Sequence, residues 1–237
     1  MLLMALPLTS AIAQEEAPPL PATYRLTGFN YEPQMWNNCG PATVTNALTF
    51  FGYTDKQTRA ADFLKPDWRD KNVSPEQLIA FVNTQVPEIP VYAAYRVGGS
   101  IDLLRTLLAN NFPVIIEKGY DPEPDRLGWM GHYLLITGYD DTTETFYTSD
   151  SYIGDNIPYE YSYIDHFWRH FNRTYIVLYR QEQEEALMAL LGDDADPFEN
   201  ARNAFEIAQQ EAIENQDDPF AWFNMGSSLV MLARFYE

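Results

Sequence analysis

Cysteine and histidine are scarce in this sequence, and basic residues are few. The 237 residues include one cysteine, Cys39, and three histidines. A single cysteine excludes an internal disulfide, and three histidines leave a short search for a catalytic base. Lysine and arginine number 15 against 34 aspartates and glutamates, so the formal net charge is −19. That charge repels nucleic acids and anionic membranes, and neither is an expected partner.

The N-terminus is apolar but short, and no other segment is long and apolar enough to span a bilayer. Residues 1–13 end in Ala11-Ile12-Ala13, a pattern typical of signal-peptide cleavage, although the basic start of a complete signal peptide is lacking. We therefore expect an incomplete signal peptide at 1–13 and a Glu- and Pro-rich linker at 14–22. A frayed apolar tail is the alternative. The signal peptide predicts an exported protein, extracellular or at the cell surface, with no membrane span in the mature chain.

Residues 23–180 alternate helical and strand patterns in the order of an α+β domain. Helices are expected to begin at Cys39, at the capping box formed by Ser74 and Gln77, and after the cap Ser100. Strands are expected at 89–97, 113–118, 132–139, 145–149 and 174–179, with a hairpin turn at 140–143 and a short helix near 164–171. Helices followed by an antiparallel sheet indicate the α+β class.

Residues 181–237 are acidic, helical in pattern and free of strand signals. Ala201, Phe205 and Ala208 have the spacing of the second helix of a tetratricopeptide repeat. Trp222, Met225, Gly226 and Leu229 have the spacing of a first helix. We therefore expect a truncated repeat segment whose helices pack poorly, expose apolar surface at Trp222, Phe223 and Leu229, and offer a surface to a protein partner. An ordinary amphipathic helical tail is the alternative.

Cys39 stands where a helix is expected to begin. Asn38 is a good N-cap, and Pro41 fits the first turn. A thiol at a helix N-terminus feels the positive end of the helix dipole, which favours the nucleophilic thiolate. Gln34, five residues upstream, can offer an amide N–H to an oxyanion beside the sulfur. Against this stands the common case of a lone cysteine as a small buried hydrophobe.

His132 and Asp150 are the expected partners of the thiol. His132 follows a Gly-rich stretch and opens a buried strand, where it can act as the general base, although an edge or core histidine is the alternative. Asp150 ends the next strand and can orient the imidazole. Asp140, Asp141 and Asp155 compete with Asp150 for this role, and a plain turn aspartate is its alternative.

Two further patterns suggest cation binding only weakly, and no metal or cofactor is expected. His166 and His170 have the i, i+4 spacing that can hold a metal, but no third histidine or second cysteine is free to join them. Residues 121–125 alternate acids with prolines, yet this segment lacks the glycine and the final acid of a calcium loop. A loop flanking the cleft is the preferred interpretation.

Three segments together resemble the C39-type peptidase-like domains, which are papain-like and include bacteriocin-processing domains. The segments surround Cys39 (34–43), His132 (131–140) and Asp150 (149–152), and the resemblance covers about residues 24–180. It implies a papain-like fold with Cys39 as nucleophile, His132 as base, Asp150 as orienting acid and Gln34 as oxyanion donor. Gln34 lies five residues before the cysteine, where the family usually has six. Leader-peptide processing during export is not implied, because the membrane spans and ATPase of exporters are absent.

The sequence therefore predicts a secreted cysteine peptidase that hydrolyses peptide bonds through an acyl-enzyme, with a peptide or protein as substrate. Two alternatives remain open. One is a papain-like binding module without turnover, presented by the repeat helices to a protein partner. The other is an acyltransferase or deamidase that uses the same thiol.

Overall fold

The computed structural model describes residues 19–67, 69–70, 72–121 and 128–234, with side chains to residue 232. The predicted signal peptide and most of the predicted linker lie outside the described residues, as does most of the acidic 121–125 loop. Within the described part of the chain, no helix is long and apolar enough to cross a membrane.

Among the described residues, seven strands form one antiparallel sheet. The strands are β1 Thr23–Arg25, β2 Val91–Arg96, β3 Val114–Tyr120, β4 Met130–Asp140, β5 Thr145–Asp150, β6 Gly154–Glu160 and β7 Tyr175–Arg180. The order across the sheet is β2-β7-β3-β4-β5-β6, and β1 pairs with β4. Pairing of β4 with β5 confirms the predicted hairpin.

Eight α-helices in the described part of the chain pack around the sheet. They are α1 Cys39–Thr49, α2 Gln57–Leu64, α3 Pro75–Gln85, α4 Ile101–Ala109, α5 Tyr161–Trp168, α6 Glu184–Leu191, α7 Pro197–Glu214 and α8 Pro219–Arg234. The capping box of Ser74 and Gln77 is present at α3, and the Ser100 side chain caps α4. The α+β class is therefore confirmed.

The two faces of the sheet bury separate cores, because successive strand side chains point to opposite faces. Tyr133 and Leu135 of β4 pack with α1, α2 and α3. Leu134 and Ile136 of the same strand pack with α4, α5 and α6. The catalytic candidates lie near the start of β4 and at the end of β5, on the side of the sheet where α1 begins at Cys39.

Three elements were not expected from the sequence: β1, α2 and β6. The β6 strand contains Pro158 and several exposed polar residues. It lies at the edge of the sheet, where a proline is tolerated and a hydrophobic alternation is not needed. The buried residues of α2 are Gln57, Ala60 and Leu64, of which the first is polar, and the helix has no side-chain cap, so its sequence carries no clear start signal.

The expectation that the C-terminal helices pack poorly is wrong. Leu187 and Leu191 of α6 belong to the core that covers one sheet face. Asn200 of α7 donates to the Val97 carbonyl at 2.8 Å and accepts from its amide at 2.9 Å. Arg173 bridges to Glu211 at 2.8 Å. The repeat pattern could not predict these contacts, because it describes only how the helices of a repeat pack on each other.

The outer face of α8 is exposed as expected. Trp222, Phe223 and Leu229 are 52%, 63% and 50% exposed. The α7 and α8 helices form a packed pair, and their relation to tetratricopeptide repeats stays a prediction.

Candidate active site

Cys39 is the first residue of α1 and is half-buried at the floor of a cleft. Asn38 precedes the helix as predicted, but its side chain does not cap it. Instead its oxygen accepts from Lys65 at 2.8 Å and its amide donates to Gln57 at 3.2 Å. The predicted capping bond is therefore wrong. Pro41 has no N–H and the Ala42 N–H donates to the Asn38 carbonyl, so the Cys39 and Gly40 amides are the first-turn donors that favour a negative charge at the sulfur.

His132 and Asp150 meet on the paired strands β4 and β5. The His132 Nε2 and Asp150 Oδ1 atoms are 2.9 Å apart, and both side chains are buried. An ionised carboxylate only accepts hydrogen bonds, so Nε2–H donates to it. The imidazole also hydrogen-bonds the Cys39 thiol, and Nδ1 is the nitrogen left for that contact.

Asp150 is held by four donors. Besides His132, the Tyr159 hydroxyl donates to Oδ2 at 2.8 Å. The backbone amides of Tyr152 and Ile153 donate to Oδ1 at 2.9 and 3.2 Å. Such a set fixes the carboxylate against the imidazole edge.

The three competing acids lie elsewhere. Asp140 accepts from Thr142 within the β4–β5 turn. Asp141 pairs with Arg105 and Tyr161, and Asp155 is exposed on β6.

The electrostatics of Cys39, His132 and Asp150 favour a thiolate at Cys39 and an imidazolium at His132. Burial alone would raise the pKa of Cys39, but the hydrogen bond and charge of His132 lower it on balance. Burial would lower the pKa of His132, yet bonds to Asp150 and Cys39 raise it to about 9. Burial would likewise raise the pKa of Asp150, and its donors lower it to about 2.

Two backbone amides add to the stabilisation of the sulfur. The N–H groups of Tyr133 and Gly40 hydrogen-bond Cys39 and lower its pKa. The Lys65 ammonium also lies near, and the charge of Cys39 raises its pKa against the lowering by burial. These contacts favour the ionised form of the Cys39 thiol, which is the nucleophilic form.

Gln34 lies in the same cleft as the thiol. Its Oε1 accepts from the Ser151 hydroxyl at 2.9 Å, and its backbone N–H donates to the Ser151 carbonyl at 2.8 Å. The amide nitrogen is thereby left as the donor that can face an oxyanion. The shorter five-residue spacing still brings Gln34 to the cleft of Cys39.

The cleft has a volume of about 580 Å³. Its walls include the aromatic side chains of Trp36, Tyr120, Trp129 and Tyr152. Trp36 is 86% exposed and Trp129 is 49% exposed, so both present apolar surface beside the thiol. Such a surface suits an extended chain with apolar side chains.

His166 and His170 lie on one side of a cluster of aromatic rings, and among the described residues no group of three or more His, Cys, Asp or Glu side chains could hold a metal ion. His170 Nδ1 instead accepts from Trp129 Nε1 at 3.1 Å.

Four residues of the site were missed from the sequence. They are Tyr159, which holds Asp150; Ser151, which holds Gln34; Lys65, which lies near the thiol; and Gln57, which is buried and bonds the 33–38 segment. Only Ser151 carried a signal, because it directly follows Asp150. The others come from elements that the sequence patterns did not place.

Comparisons with known proteins agree with this architecture. A Bacillus anthracis protein described as a C39-like peptidase is similar in fold, with 15% identity and a TM-score of 0.52 over 67% of this chain and 98% of that chain. Xylellain, a cysteine protease from Xylella fastidiosa, also has 15% identity and a TM-score of 0.52, over 68% of this chain and 87% of that chain. No curated protein matches the sequence.

The sequence itself carries the family signal over most of the predicted domain. Residues 26–183 match the Peptidase_C39 like family, and this range includes strands β2 to β7 and all four predicted site residues. The expected cysteine-peptidase class is therefore confirmed at the level of the family. The chain belongs to the Peptidase_C39 like family.

Proposed function

We propose that the chain is a cysteine peptidase that cleaves peptide bonds through an acyl-enzyme on Cys39. The observation that carries this proposal is the buried His132–Asp150 contact of 2.9 Å beside a thiol whose pKa is lowered. A structural cysteine needs neither a charged partner nor a carboxylate behind that partner.

The first half of the reaction forms a thioester. The Cys39 thiolate attacks the scissile carbonyl carbon, and the carbonyl oxygen takes up the negative charge. In this proposal the Gln34 side-chain amide and the Cys39 backbone amide donate to this oxyanion. The protonated His132 gives its proton to the leaving amine as the C–N bond breaks.

The second half of the reaction hydrolyses the thioester and frees Cys39. Neutral His132 takes a proton from water, and the resulting hydroxide attacks the thioester carbon. The C–S bond breaks, the acid product leaves, and Cys39 and His132 regain the ion pair. Asp150 keeps the imidazole in the required orientation throughout and does not itself exchange a proton.

Alkylation tests the activated thiol. Cys39 should react with iodoacetamide faster than free cysteine from about pH 5 to about pH 8, because a thiolate is present below the ordinary cysteine pKa. The site of modification is mapped by mass spectrometry, and His132→Ala should remove the advantage. Reaction at the rate of free cysteine would contradict the proposal.

Turnover needs a separate experiment. A proteome-derived peptide library incubated with the chain should be cleaved, and Cys39→Ala should abolish cleavage. Hydrolysis leaves a free carboxylate at each new C-terminus, whereas acyl transfer leaves an adduct and deamidation leaves chain length unchanged. Mass spectrometry of the products separates the three outcomes.

We also propose that the chain acts outside the cell and that α7 and α8 are related to tetratricopeptide helices. The first proposal rests on the pattern of residues 1–13, and the second on the spacing around Ala201 and Trp222. Detection of the processed chain in a culture medium would test the first, and loss of partner capture by a Trp222→Ala variant would test the second.

A further inference from the structure

Lys118 of β3 is a fully buried lysine that the proposed reaction steps do not use. Its ammonium nitrogen lies among the rings of four aromatic side chains. The distances from Nζ to the ring centroids are 4.6 Å for Tyr120, 5.2 Å for Tyr163, 5.5 Å for Tyr159 and 5.6 Å for Phe167. The faces of aromatic rings attract a cation, so this aromatic cage accommodates the protonated form of the lysine.

The aromatic cage lies against the catalytic residues. Lys118 and His132 are directly paired across β3 and β4, so their side chains leave the sheet on the same face. The centroids of the Tyr120 and His132 rings are 5.4 Å apart. The Tyr159 hydroxyl donates to Oδ2 of Asp150 at 2.8 Å. Two rings of the cage therefore contact the His132–Asp150 pair, one at each member.

Lys118 supplies a charge that balances the ionised site. A thiolate at Cys39, an imidazolium at His132 and a carboxylate at Asp150 together carry one negative charge. Water solvates such a charge poorly in a buried site, and a nearby cation offsets it. The Lys118 ammonium provides this cation on the Asp150 side of the site, and the charge of Asp150 in turn favours the protonated lysine.

The other titratable groups that face Lys118 in the described part of the chain come from the neighbouring strands and from α5. They are Tyr120 of β3, His132 of β4, Asp150 of β5, Tyr159 of β6, Tyr163 of α5 and His170 just after α5. Burial raises the pKa values of Tyr159 and Tyr163 and lowers the pKa of His170 to about 4, so these three side chains are uncharged near neutral pH. Asp150 and His132 are thus the charged groups among them.

The buried ammonium lowers the stability of the fold. Burial has a larger effect on Lys118 than Asp150 does, and it lowers the pKa of the lysine to about 8 from an ordinary value of 10.5. An apolar side chain of similar length would fill the same volume without this cost. A costly buried charge beside catalytic groups points to a role for the charge and not for packing alone.

We propose that Lys118 is a positioning residue of the active site, whose buried ammonium offsets the charge of Asp150 and so favours the Cys39 thiolate. The side chain is fully buried, so it acts on the thiol through the charges of Asp150 and His132 and does not contact the substrate. The inference rests on the proposed peptidase function only in taking Cys39 as the nucleophile.

The pH dependence of Cys39 alkylation tests this role. Iodoacetamide reacts with the thiolate, and the ultraviolet absorbance of the thiolate follows the same titration, with Cys39→Ala as the blank. Lys118→Met and Lys118→Gln both remove the positive charge. On the acidic limb of the profile both variants should react about three- to tenfold more slowly than the wild type, because the thiol then titrates at a higher pH. On the alkaline plateau, where the thiol is ionised in every chain, the rates should be equal.

Two further variants and a stability measurement serve as controls. Lys118→Arg keeps the positive charge in the aromatic cage and should keep the wild-type profile. Lys56→Met removes an exposed lysine just before α2 and measures the effect of net charge alone. Urea denaturation of each variant shows whether a slower reaction comes from unfolding.

The results decide between clear alternatives. An acidic limb that moves to higher pH in both neutral variants, and not in Lys118→Arg or Lys56→Met, supports the role of the charge. An unmoved limb in the neutral variants overturns it. A rate that is lowered equally at every pH also overturns it, because a packing defect does not depend on the ionisation of the thiol. An equal shift in Lys118→Arg or Lys56→Met overturns it as well, since repacking or net charge would then be the cause.

Peptide cleavage is measured separately with the library described above. Alkylation needs no peptide, so a shifted limb in a chain that cuts no peptide would support the role of Lys118 and contradict the peptidase proposal. Cleavage by a chain whose acidic limb does not respond to the Lys118 variants would support the peptidase proposal and overturn the role of Lys118.

Discussion

The ring of Phe220, at the start of α8, stacks on the imidazole of His170 with centroids 3.7 Å apart and planes 11° apart. His170 in turn accepts from Trp129, which forms a wall of the catalytic cleft. Burial first, and the charges of His166 and Arg169 next, lower the pKa of His170 to about 4, so the ring is neutral and can accept at neutral pH. The C-terminal helices are thus connected to the cleft by three rings in contact.

Replacing Phe220 should weaken the docking of α8. We expect Phe220→Ala to lower the free energy of unfolding by about 1–2 kcal/mol, because a half-buried ring and its stacking are lost. Phe223→Ala is the matched control: this ring is 63% exposed, so the change should stay within about 0.5 kcal/mol. Urea denaturation measures both, and equal effects would show that the His170 stack contributes little.

Removing residues 181–237 should damage the domain as well as the tail. All four site residues predicted from the sequence precede residue 180, and on that ground alone Cys39 would keep its reactivity after this deletion. We now expect the opposite, because Leu187 and Leu191 fill the core beside Trp168 and Tyr179. The measurement is the cooperativity of thermal unfolding together with the alkylation rate of Cys39. A cooperative transition with an unchanged rate would place the domain boundary at Arg180.

The sequence was most informative where local chemistry sets the structure. Capping at Ser74 and Ser100, the β4–β5 hairpin and the helix start at Cys39 all follow from near neighbours in the chain. The contact of His132 with Asp150 was also predictable, since a hairpin places the end of one strand beside the start of its partner.

The contacts that were not predicted span long distances in sequence. Gln34 and Ser151 are 117 residues apart, and Asn200 bonds Val97 across 103 residues. Neither pairing produces a periodic pattern in the sequence, because each depends on how two folded elements pack against each other. The repeat-like spacing of α7 was also ambiguous: its small residues Ala201, Ala204 and Ala208 are buried, as in any close helix packing.

Gln34 and Ser151 should act as a donor and the residue that orients it. Gln34→Ala should lower kcat about 10²–10³-fold if its amide donates to the oxyanion, with the alkylation rate of Cys39 unchanged. Ser151→Ala should lower kcat by a smaller factor, about tenfold, because the amide keeps its backbone anchor but loses its orienting bond. Ser151→Thr keeps the hydroxyl and should restore part of kcat. A slower alkylation rate in Gln34→Ala would instead indicate a role in activating the thiol.

Lys118 should be a source of instability near neutral pH. Its side chain is fully buried among Tyr120, Tyr159 and Tyr163, and its ammonium donates only to the Gly119 carbonyl at 3.3 Å among the bonds of the described residues. Burial first lowers its pKa to about 8, against the raising effect of Asp150. We expect Lys118→Met to raise the free energy of unfolding by about 1–3 kcal/mol at about pH 7.

The pH dependence distinguishes charge from packing at Lys118. The unfolded state keeps the lysine proton up to about pH 10.5, while the folded state releases it near 8, so the wild type gains stability as pH rises through this window. The advantage of Lys118→Met should therefore shrink between these values in urea denaturation. A difference that is constant with pH would show that volume and not charge is responsible.

The alkaline limit of activity should be set by His132. The imidazolium is needed to protonate the leaving amine, and its pKa is raised to about 9, so kcat/KM should fall as pH rises through about 9. The acidic limit should lie below the ordinary pKa of a cysteine, because His132 lowers the pKa of Cys39. The raised pKa of His132 also adds to the free energy of unfolding. This contribution is fully present below about pH 6.5 and is lost as the pH rises through about 9.

Asp150→Asn tests the origin of this profile. In the wild type the negative charge of Asp150 raises the pKa of His132. The amide of Asn has the size of the carboxylate but not its charge. The alkaline limit of the variant should therefore move down by about one unit or more, and kcat/KM should fall strongly even at the optimum. Tyr159→Phe is the milder control: it removes one of the four donors to Asp150, which raises the pKa of the carboxyl but leaves its charge at neutral pH. An alkaline limit that stays near 9 in Asp150→Asn would assign it to another group and leave His132 without its expected role.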